Sequence, residues 1–110
     1  MTVVDDCLPL KPVDFHILWV LAEGELHGYG IVKEIETRSG GRIRLEPGNL
    51  YRYVRRLVTA GLVRPAERRP ADGEERRRYY GVTADGKAVL AAEVARMREL
   101  AAAAERALAG

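Results

Sequence analysis

The segment spanning residues 47–83 constrains the fold of this chain most strongly, because an amphipathic helical pattern in it leads directly into two strand-like stretches. The helical pattern begins at Pro47, which suits a first helical position, and stops at Gly61. The two stretches that follow, residues 62–67 and 76–82, are separated by Pro-Ala-Asp-Gly, a sequence typical of turns. The segment therefore predicts one helix, over residues 47–60, followed by an antiparallel hairpin.

Positive charge is concentrated in the same segment. Residues 47–83 contain nine arginines and four acidic residues, an excess of five positive charges, whereas the net charge of the whole chain is +2. Guanidinium groups stay ionised at physiological pH and can fork onto guanine edges or phosphate oxygens. A polyanionic partner is therefore expected. The simpler alternative is a solvated helix face, with Arg76, Arg77 and Arg78 partly neutralised by Glu74 and Glu75 across the turn.

Two further helices and a short strand are predicted before this segment. Apolar residues at three- and four-residue spacing after Pro12 indicate a first helix that ends near residue 24. A second helix begins within residues 27–30 and ends at Ser39, where two glycines follow, and His27 is expected to cap or abut it. Ile43 and Leu45 then alternate with arginines, which predicts a short, half-buried strand.

The last predicted helix carries an apolar seam. Thr83 is a suitable N-cap, Gly86 would let the start of the helix pack closely, and residues 87–108 contain no helix-breaking residue. Charged residues, among them Glu93 and Arg96, are expected on the exposed face. A single apolar seam on an otherwise charged helix predicts packing against a second copy, so we expect a homodimer. The seam has alternating spacings of four and three residues, a heptad-like pattern, and consists of Leu90, Val94, Met97, Ala101, Ala104 and Leu108.

Length and composition bound the class of protein. A chain of 110 residues fits one core, and we expect one compact unit with a domain over residues 1–83 and a helix over residues 84–110. No apolar run approaches the roughly 18–20 residues of a membrane span, and the acidic start is unlike a signal peptide, so a cytoplasmic protein is expected. The lone Cys7 excludes an internal disulfide, and two histidines without a third ligand argue against a metal site. The chain has few nucleophilic side chains and no glycine-rich loop that could bind phosphate. We therefore expect that it is not an enzyme and that it binds no cofactor.

The order of predicted elements is helix, helix, short strand, helix, hairpin and long helix. This order predicts a mainly α fold with a small β-hairpin, a winged helix-turn-helix followed by a C-terminal dimerisation helix. In such a module the third helix fits the major groove of DNA, which is about 12 Å wide, and the wing, here residues 62–82, reaches phosphates or the adjacent minor groove. Double-stranded DNA is therefore the expected partner, and the nucleoid the expected location.

Several short motifs occur together in the chain. They are His-Gly-Tyr-Gly at residues 27–30, Pro-Gly at 47–48, Leu-Tyr-Arg at 50–52, Ala-Gly-Leu at 60–62 and Arg-Arg-Tyr-Tyr at 77–80. In this combination the chain resembles the PadR family of bacterial transcriptional regulators over nearly its full length, and its single C-terminal helix is typical of the smaller subfamily. The resemblance implies a homodimer in which the C-terminal helix packs against the partner's N-terminal region. It also implies repression by operator binding, which an effector relieves.

The expected DNA contacts divide between the third helix and the wing. The resemblance implies base contacts from the N-terminal half of the third helix and backbone contacts from the wing arginines. An amide at Asn49 can fork onto adenine, and it stands where relatives carry a smaller hydroxyl residue, so their base preference does not transfer. The expected contact residues are Tyr29, Gly48, Asn49, Tyr51, Arg52, Arg55 and Arg56 on the helices and Arg76, Arg77 and Arg78 on the wing.

Two other functions remain open from the sequence. The first is a small-molecule sensor with a ligand pocket at the dimer interface near His16 and Trp19, although packing is the favoured role for Trp19. The second is a winged helix that binds only other proteins. An apolar or acidic third helix would favour that second function, and the arginine-rich face of residues 47–60 counts against it.

Overall fold

In a computed structural model of the protein, residues 3–66 and 78–110 are described. Within these ranges the chain forms five helices, the first a single turn, and three strands that make one antiparallel sheet in the order β1-β3-β2. The mainly helical winged helix-turn-helix fold predicted from the sequence is confirmed. The elements are α1 (Val3–Asp6), α2 (Pro12–Ala22), β1 (Leu26–His27), α3 (Gly28–Arg38), α4 (Pro47–Thr59), β2 (Val63–Ala66), β3 (Tyr79–Val82) and α5 (Ala84–Ala109).

Helix α2 lies at the centre of the core and packs against α3, α4, α5 and β3. Its Ile17 and Leu18 have no exposed surface. The helix can bury apolar groups on several sides because it is apolar nearly all round, as expected for a central helix. The other buried apolar residues face it from the surrounding elements, and they include Ile31, Ile35, Leu50, Val54, Leu57, Leu62, Tyr80, Val82 and Val89.

Proline and glycine set the limits of α4. Pro47 occupies the first turn, where its missing amide hydrogen costs nothing. At the other end Gly61 has a φ of 80°, a left-handed conformation that favours glycine. This turn directs the amide of Leu62 back to the carbonyl of Leu57 at 2.9 Å, which closes the helix and starts the wing.

The strand predicted at Ile43 and Leu45 is wrong. These residues lie in a loop, half-buried against the core, and the amide of Ile43 donates to the hydroxyl of Ser39 at 2.9 Å. The third strand is instead β1, in which Leu26 and His27 pair with β3. Alternating burial in an extended loop produces the same sequence period as a strand, and the free edge of β3 is already occupied by β1.

The two long strands of the wing agree with the predicted hairpin. β2 and β3 are antiparallel, with Val63 opposite Val82 and Ala66 opposite Tyr79. Tyr80 and Val82 are both buried, as the period of a strand predicts, and Tyr79 is half-buried. The predicted turn, at residues 70–73, lies outside the described residues.

Thr83 and Gly86 join the start of α5 to the end of α4. The Thr83 hydroxyl accepts a hydrogen bond from the amide of Gly86 at 3.0 Å, which confirms the predicted N-cap. The same hydroxyl donates to the carbonyl of Gly61 at 2.6 Å. Gly86 is packed so closely that a Cβ atom there would lie 2.1 Å from the carbonyl oxygen of Leu62. The predicted close packing at this glycine is therefore present.

Glu93 corrects the prediction for the charged face of α5. Its side chain is 1% exposed and faces the N-terminal segment instead of solvent. The carboxylate accepts hydrogen bonds from the amide of Leu10 at 2.8 Å and from the guanidinium of Arg96. The hydrogen bonds that Glu93 accepts from Arg96 and Leu10 lower its pKa, whereas burial acts to raise it. Glu93 thus fastens α5 to the chain that enters α2, on the side where the unpredicted helix α1 packs.

Substituting Gly86 by alanine should destabilise the fold. We expect Gly86→Ala to lower the free energy of unfolding by roughly 3 kcal/mol, because backbone must shift to accept the added methyl group. Gly48→Ala is the matched control, since no atom lies within 4 Å of the added Cβ. Urea denaturation should show Gly48→Ala unchanged or more stable by up to about 1 kcal/mol. Equal stabilities for the two variants would contradict the packing described at Gly86.

The Glu93 carboxylate should make stability depend on pH. Its folded-state pKa is lowered from 4.5, so its stabilising contribution is present above that pH and is lost as the pH falls through the folded-state pKa. Glu93→Gln should lower the free energy of unfolding at pH 7 by roughly 1–2 kcal/mol. In urea denaturation, the gap between variant and wild type should narrow below pH 4.5. Glu99→Gln, an exposed site on the same helix, should behave as wild type at every pH.

Candidate nucleic-acid interface

Helix α4 presents a polar face to solvent because its apolar side chains are all needed in the core. Leu50, Val54 and Leu57 are buried and recur at helical spacing. The opposite face is exposed along the whole helix, as the sequence predicts. The exposed residues are Gly48, Asn49, Tyr51, Arg52, Arg55, Arg56 and Thr59.

The start of α3 contributes an aromatic group beside α4. Tyr29 is 60% exposed, and the Nζ atom of Lys33 lies 5.6 Å from the centre of its ring. His27 accepts a hydrogen bond from the amide of Gly30 at 3.0 Å, so it caps α3 as predicted. The His27 ring also stacks near Tyr29 and meets Tyr79 edge-on, with ring centres 6.4 and 5.4 Å apart. The cap thereby holds Tyr29 and Lys33 at the exposed end of α3.

A groove of about 390 Å³ separates α4 from the wing strands. Arg55 of α4 and Arg78, the residue before β3, both line it, together with Tyr51 and Tyr80. Burial raises the pKa of the Tyr80 hydroxyl, against a smaller lowering by the two arginines. We call this cavity the wing groove.

A second groove, of about 830 Å³, lies along the other flank of α4 and is called the basic groove here. It is lined by Lys11, which precedes α2, and by the guanidinium groups of Arg52, Arg55 and Arg56. Asn49 lies near one end of it, and apolar and aromatic carbons complete the wall. Helix α4 is therefore bordered by cationic side chains on both flanks.

Some of the arginines near these grooves have an acidic neighbour. Arg56 Nη2 lies 3.6 Å from the carboxylate of Asp14, and its guanidinium group stacks 5.0 Å from the ring centre of Tyr53. Arg64 of β2 pairs with Glu25 at 3.0 Å. No ion pair is described for Arg52, Arg55 or Arg78 in residues 3–66 and 78–110. Among the described arginines that line the two grooves, these three are therefore the ones that no acidic side chain neutralises.

The structure brings together most of the residues predicted to contact DNA. Those on α4, together with Tyr29 and Arg78, share one exposed surface, whereas Arg76 and Arg77 lie outside the described residues. Sequence reasoning missed Lys11 and Lys33. Lys33 stands four residues after Tyr29, a helical neighbour that spacing alone could have identified. Nothing in the sequence pattern places Lys11 beside α4, because that proximity depends on the packing of α2.

The chain matches the transcriptional regulator PadR-like family over residues 17–92. The chain belongs to this family. The match covers the helix-turn-helix, the wing and the first part of α5, and it confirms the resemblance noted in the sequence. The family is one of transcriptional regulators.

Solved PadR structures share the fold. A PadR family transcription regulator from Clostridium difficile superimposes with a TM-score of 0.75 and 23% identity, over 89% of this chain and 99% of that one. The structure of Bacillus subtilis PadR in complex with operator DNA has a TM-score of 0.66 and 22% identity, over 78% of this chain and 48% of that one. An uncharacterised 37.1 kDa protein from a Streptomyces fradiae transposon is 40% identical over 84 residues. This chain spans only 22% of the length of that relative.

The pocket expected near His16 and Trp19 remains a prediction. The two rings lie 5.8 Å apart, and neither residue lines the wing groove or the basic groove. The Arg38 guanidinium covers the indole at 4.7 Å from the ring centre and is itself held by Glu23 at 2.7 Å. Trp19, which is part of α2, therefore packs against Arg38 of α3. In residues 3–66 and 78–110, no group of three or more histidine, cysteine or acidic side chains could hold a metal ion.

The outer half of α5 carries exposed apolar side chains. Leu90 packs against the core, but Met97 is 36% and Leu108 is 87% exposed. Leu100, which the predicted seam did not include, is also exposed. The predicted seam residues from Val94 onward are thus uncovered in one copy of the chain.

None of the described helices has the length and apolar character needed to cross a membrane.

Proposed function

We propose that this regulator binds double-stranded DNA as a homodimer and represses transcription by occupying a palindromic operator. The observation that carries the proposal is the exposed polar face of α4, bordered on both flanks by arginine-lined grooves. A recognition helix in the major groove lies between two phosphate backbones, so cations are needed on both of its sides. The complex of Bacillus subtilis PadR with operator DNA supports the same partner.

The side chains of α4 fall into base-reading and backbone-gripping groups in this proposal. Asn49 and Arg52 lie on the exposed face of the helix, where an amide suits adenine and a guanidinium suits guanine. Arg55 and Arg78 face the backbone beside the wing. Lys11 faces the opposite backbone, with Arg56 behind it. Backbone contacts fix the register, and the few base contacts then select the sequence.

The proposed dimer rests on α5. This helix has 26 residues, and at a rise of about 1.5 Å per residue it is about 39 Å long. Its first turns pack on the core, whereas from Val94 onward the helix has Val94, Met97 and Leu100 exposed. An apolar stripe on an extended helix is stable in water only when a second surface covers it. A second copy related by a two-fold axis would also present a second α4, hence a palindromic site.

The repressor assignment is what the family resemblance implies, and a dimer seated on an operator would act by excluding other proteins from it. Relief by a small-molecule effector belongs to the proposal as the family resemblance implies it. Neither the wing groove nor the basic groove is lined by His16 or Trp19, so neither groove points to a particular compound there. A cytoplasmic, nucleoid-associated location agrees with a DNA partner.

Removing Arg52 should weaken binding and relax base choice. We would enrich tight-binding duplexes from a randomised pool with the wild-type protein, then titrate the selected duplex and a random one by fluorescence anisotropy. Arg52→Ala should weaken the selected duplex by roughly 5- to 100-fold and the random duplex less. Arg98→Ala, which removes the same charge from the outer half of α5, should change either affinity less than about twofold. No duplex binding by wild type at low salt and high micromolar protein would refute the proposed function.

Disrupting the seam should separate the dimer. Light scattering of the wild type at tens of micromolar should give twice the 12.2 kDa mass of one chain. Met97→Arg places a charge in the proposed interface and should give the single-chain mass, with operator binding weakened in parallel. Arg98→Ala again serves as the control and should remain dimeric. A monomeric wild type would refute the proposed dimer.

A further inference from the structure

An acidic side chain stands beside the basic groove. Asp14, in the first turn of α2, has a side chain only 13% exposed, and its Oδ1 atom lies 3.6 Å from Arg56 Nη2. That oxygen is buried and accepts no hydrogen bond from the described residues. A buried carboxylate oxygen in this state costs free energy, because lost hydration is not replaced. The fold therefore gains little from keeping an acid at this position.

The pair that Asp14 makes with Arg56 is loose. The separation exceeds that of a charge-assisted hydrogen bond, and Arg56 is half-exposed and also stacks on Tyr53. Burial raises the pKa of the Asp14 carboxyl more than the nearby charges of Arg56 and Lys11 lower it. Arg56 and Lys11 therefore compensate only part of the desolvation of Asp14.

Arg56 has two competing anions available when DNA is bound. In the free protein its guanidinium lies toward Asp14, at the α2 side of the basic groove. A phosphate in that groove would offer solvent-exposed oxygens in a geometry that guanidinium groups match well. Turning the guanidinium fork of Arg56 to the phosphate would lengthen its already loose contact with Asp14, and the buried carboxylate would then keep mainly Lys11 nearby. Each phosphate contact by Arg56 thus has an opposing cost inside the protein.

We propose that Asp14 limits DNA affinity by competing with a backbone phosphate for the guanidinium of Arg56. The inference rests on the proposed function, since it concerns the same DNA site. Base contacts by Asn49 and Arg52 are unaffected, and a backbone phosphate is present at every sequence, so the effect on affinity is similar for operator and random DNA. Asp14 therefore speeds release from DNA without changing which bases are preferred.

The test uses Asp14→Asn, which keeps the size of the side chain and removes its charge. At 0.1 M salt it should bind a random duplex roughly three- to tenfold more tightly than wild type, with a salt slope steeper by up to about 0.9. Arg56→Ala and the double variant complete a cycle, in which the gain from Asp14→Asn should disappear once Arg56 is absent. Glu105→Gln makes the same change in net charge on the exposed end of α5 and should leave affinity unchanged.

Each other outcome overturns the proposal. Weaker binding by Asp14→Asn would mean that Asp14 orients Arg56 for DNA, and unchanged binding would mean that the pair plays no part. A gain that persists in the Arg56→Ala background would be a long-range charge effect. Asp14→Ala, checked for folding by circular dichroism, provides a second variant that should also bind more tightly. Wild type that binds no duplex would refute the proposed function itself, a result distinct from all of these.

Discussion

Thr83, through its hydroxyl and its amide, connects the three parts of the molecule that a DNA-binding dimer needs. It accepts a hydrogen bond from Gly86 at the start of α5 and donates one to Gly61 at the end of α4. The amide of Thr83 also donates to the carbonyl of Leu62, where the wing begins, at 3.0 Å. The close contact at Gly86 leaves no room for these parts to slide past one another. The recognition helix, the wing and the long helix are therefore fixed in relation to each other at one point.

Around this fixed frame the electrostatics are graded and not uniformly positive. Arg64 is neutralised by Glu25 and Arg56 is partly neutralised by Asp14, whereas Arg52 and Arg55 have no ion pair within residues 3–66 and 78–110. Helix α4 thus carries both paired and unpaired arginines on its exposed side. A surface arranged in this way attracts DNA through its phosphates, yet it leaves much of the discrimination to a few side chains that can reach base edges.

The sequence predicted secondary structure best where a hydrophobic period and a local signal, such as a helix cap, indicated the same element. The helical period after Pro47, the strand patterns on either side of residues 70–73, and the cap at Thr83 each identified an element that the structure contains. Predictions failed where two structures share a period: an extended loop with alternating burial at Ile43 looks like a strand. Glu93 was misplaced because its burial depends on the amide of Leu10, 83 residues away in sequence. The positions of Lys11 and Asp14 beside α4 were likewise beyond reach, since local patterns carry no information on how α2 packs.

The rigidity of α5 has a mechanical consequence. The helix contains no proline, its last glycine before the terminal residue is Gly86, and its outer half extends well beyond the core of a molecule 59 Å in its longest dimension. A helix anchored at one end acts as a lever, so a rotation of about 5° over about 39 Å displaces the far end by roughly 3 Å. That displacement is close to one base-pair step of DNA, about 3.4 Å. In the proposed dimer, small changes in the angle between the two α5 helices would therefore shift the two α4 helices relative to the base pairs that they contact.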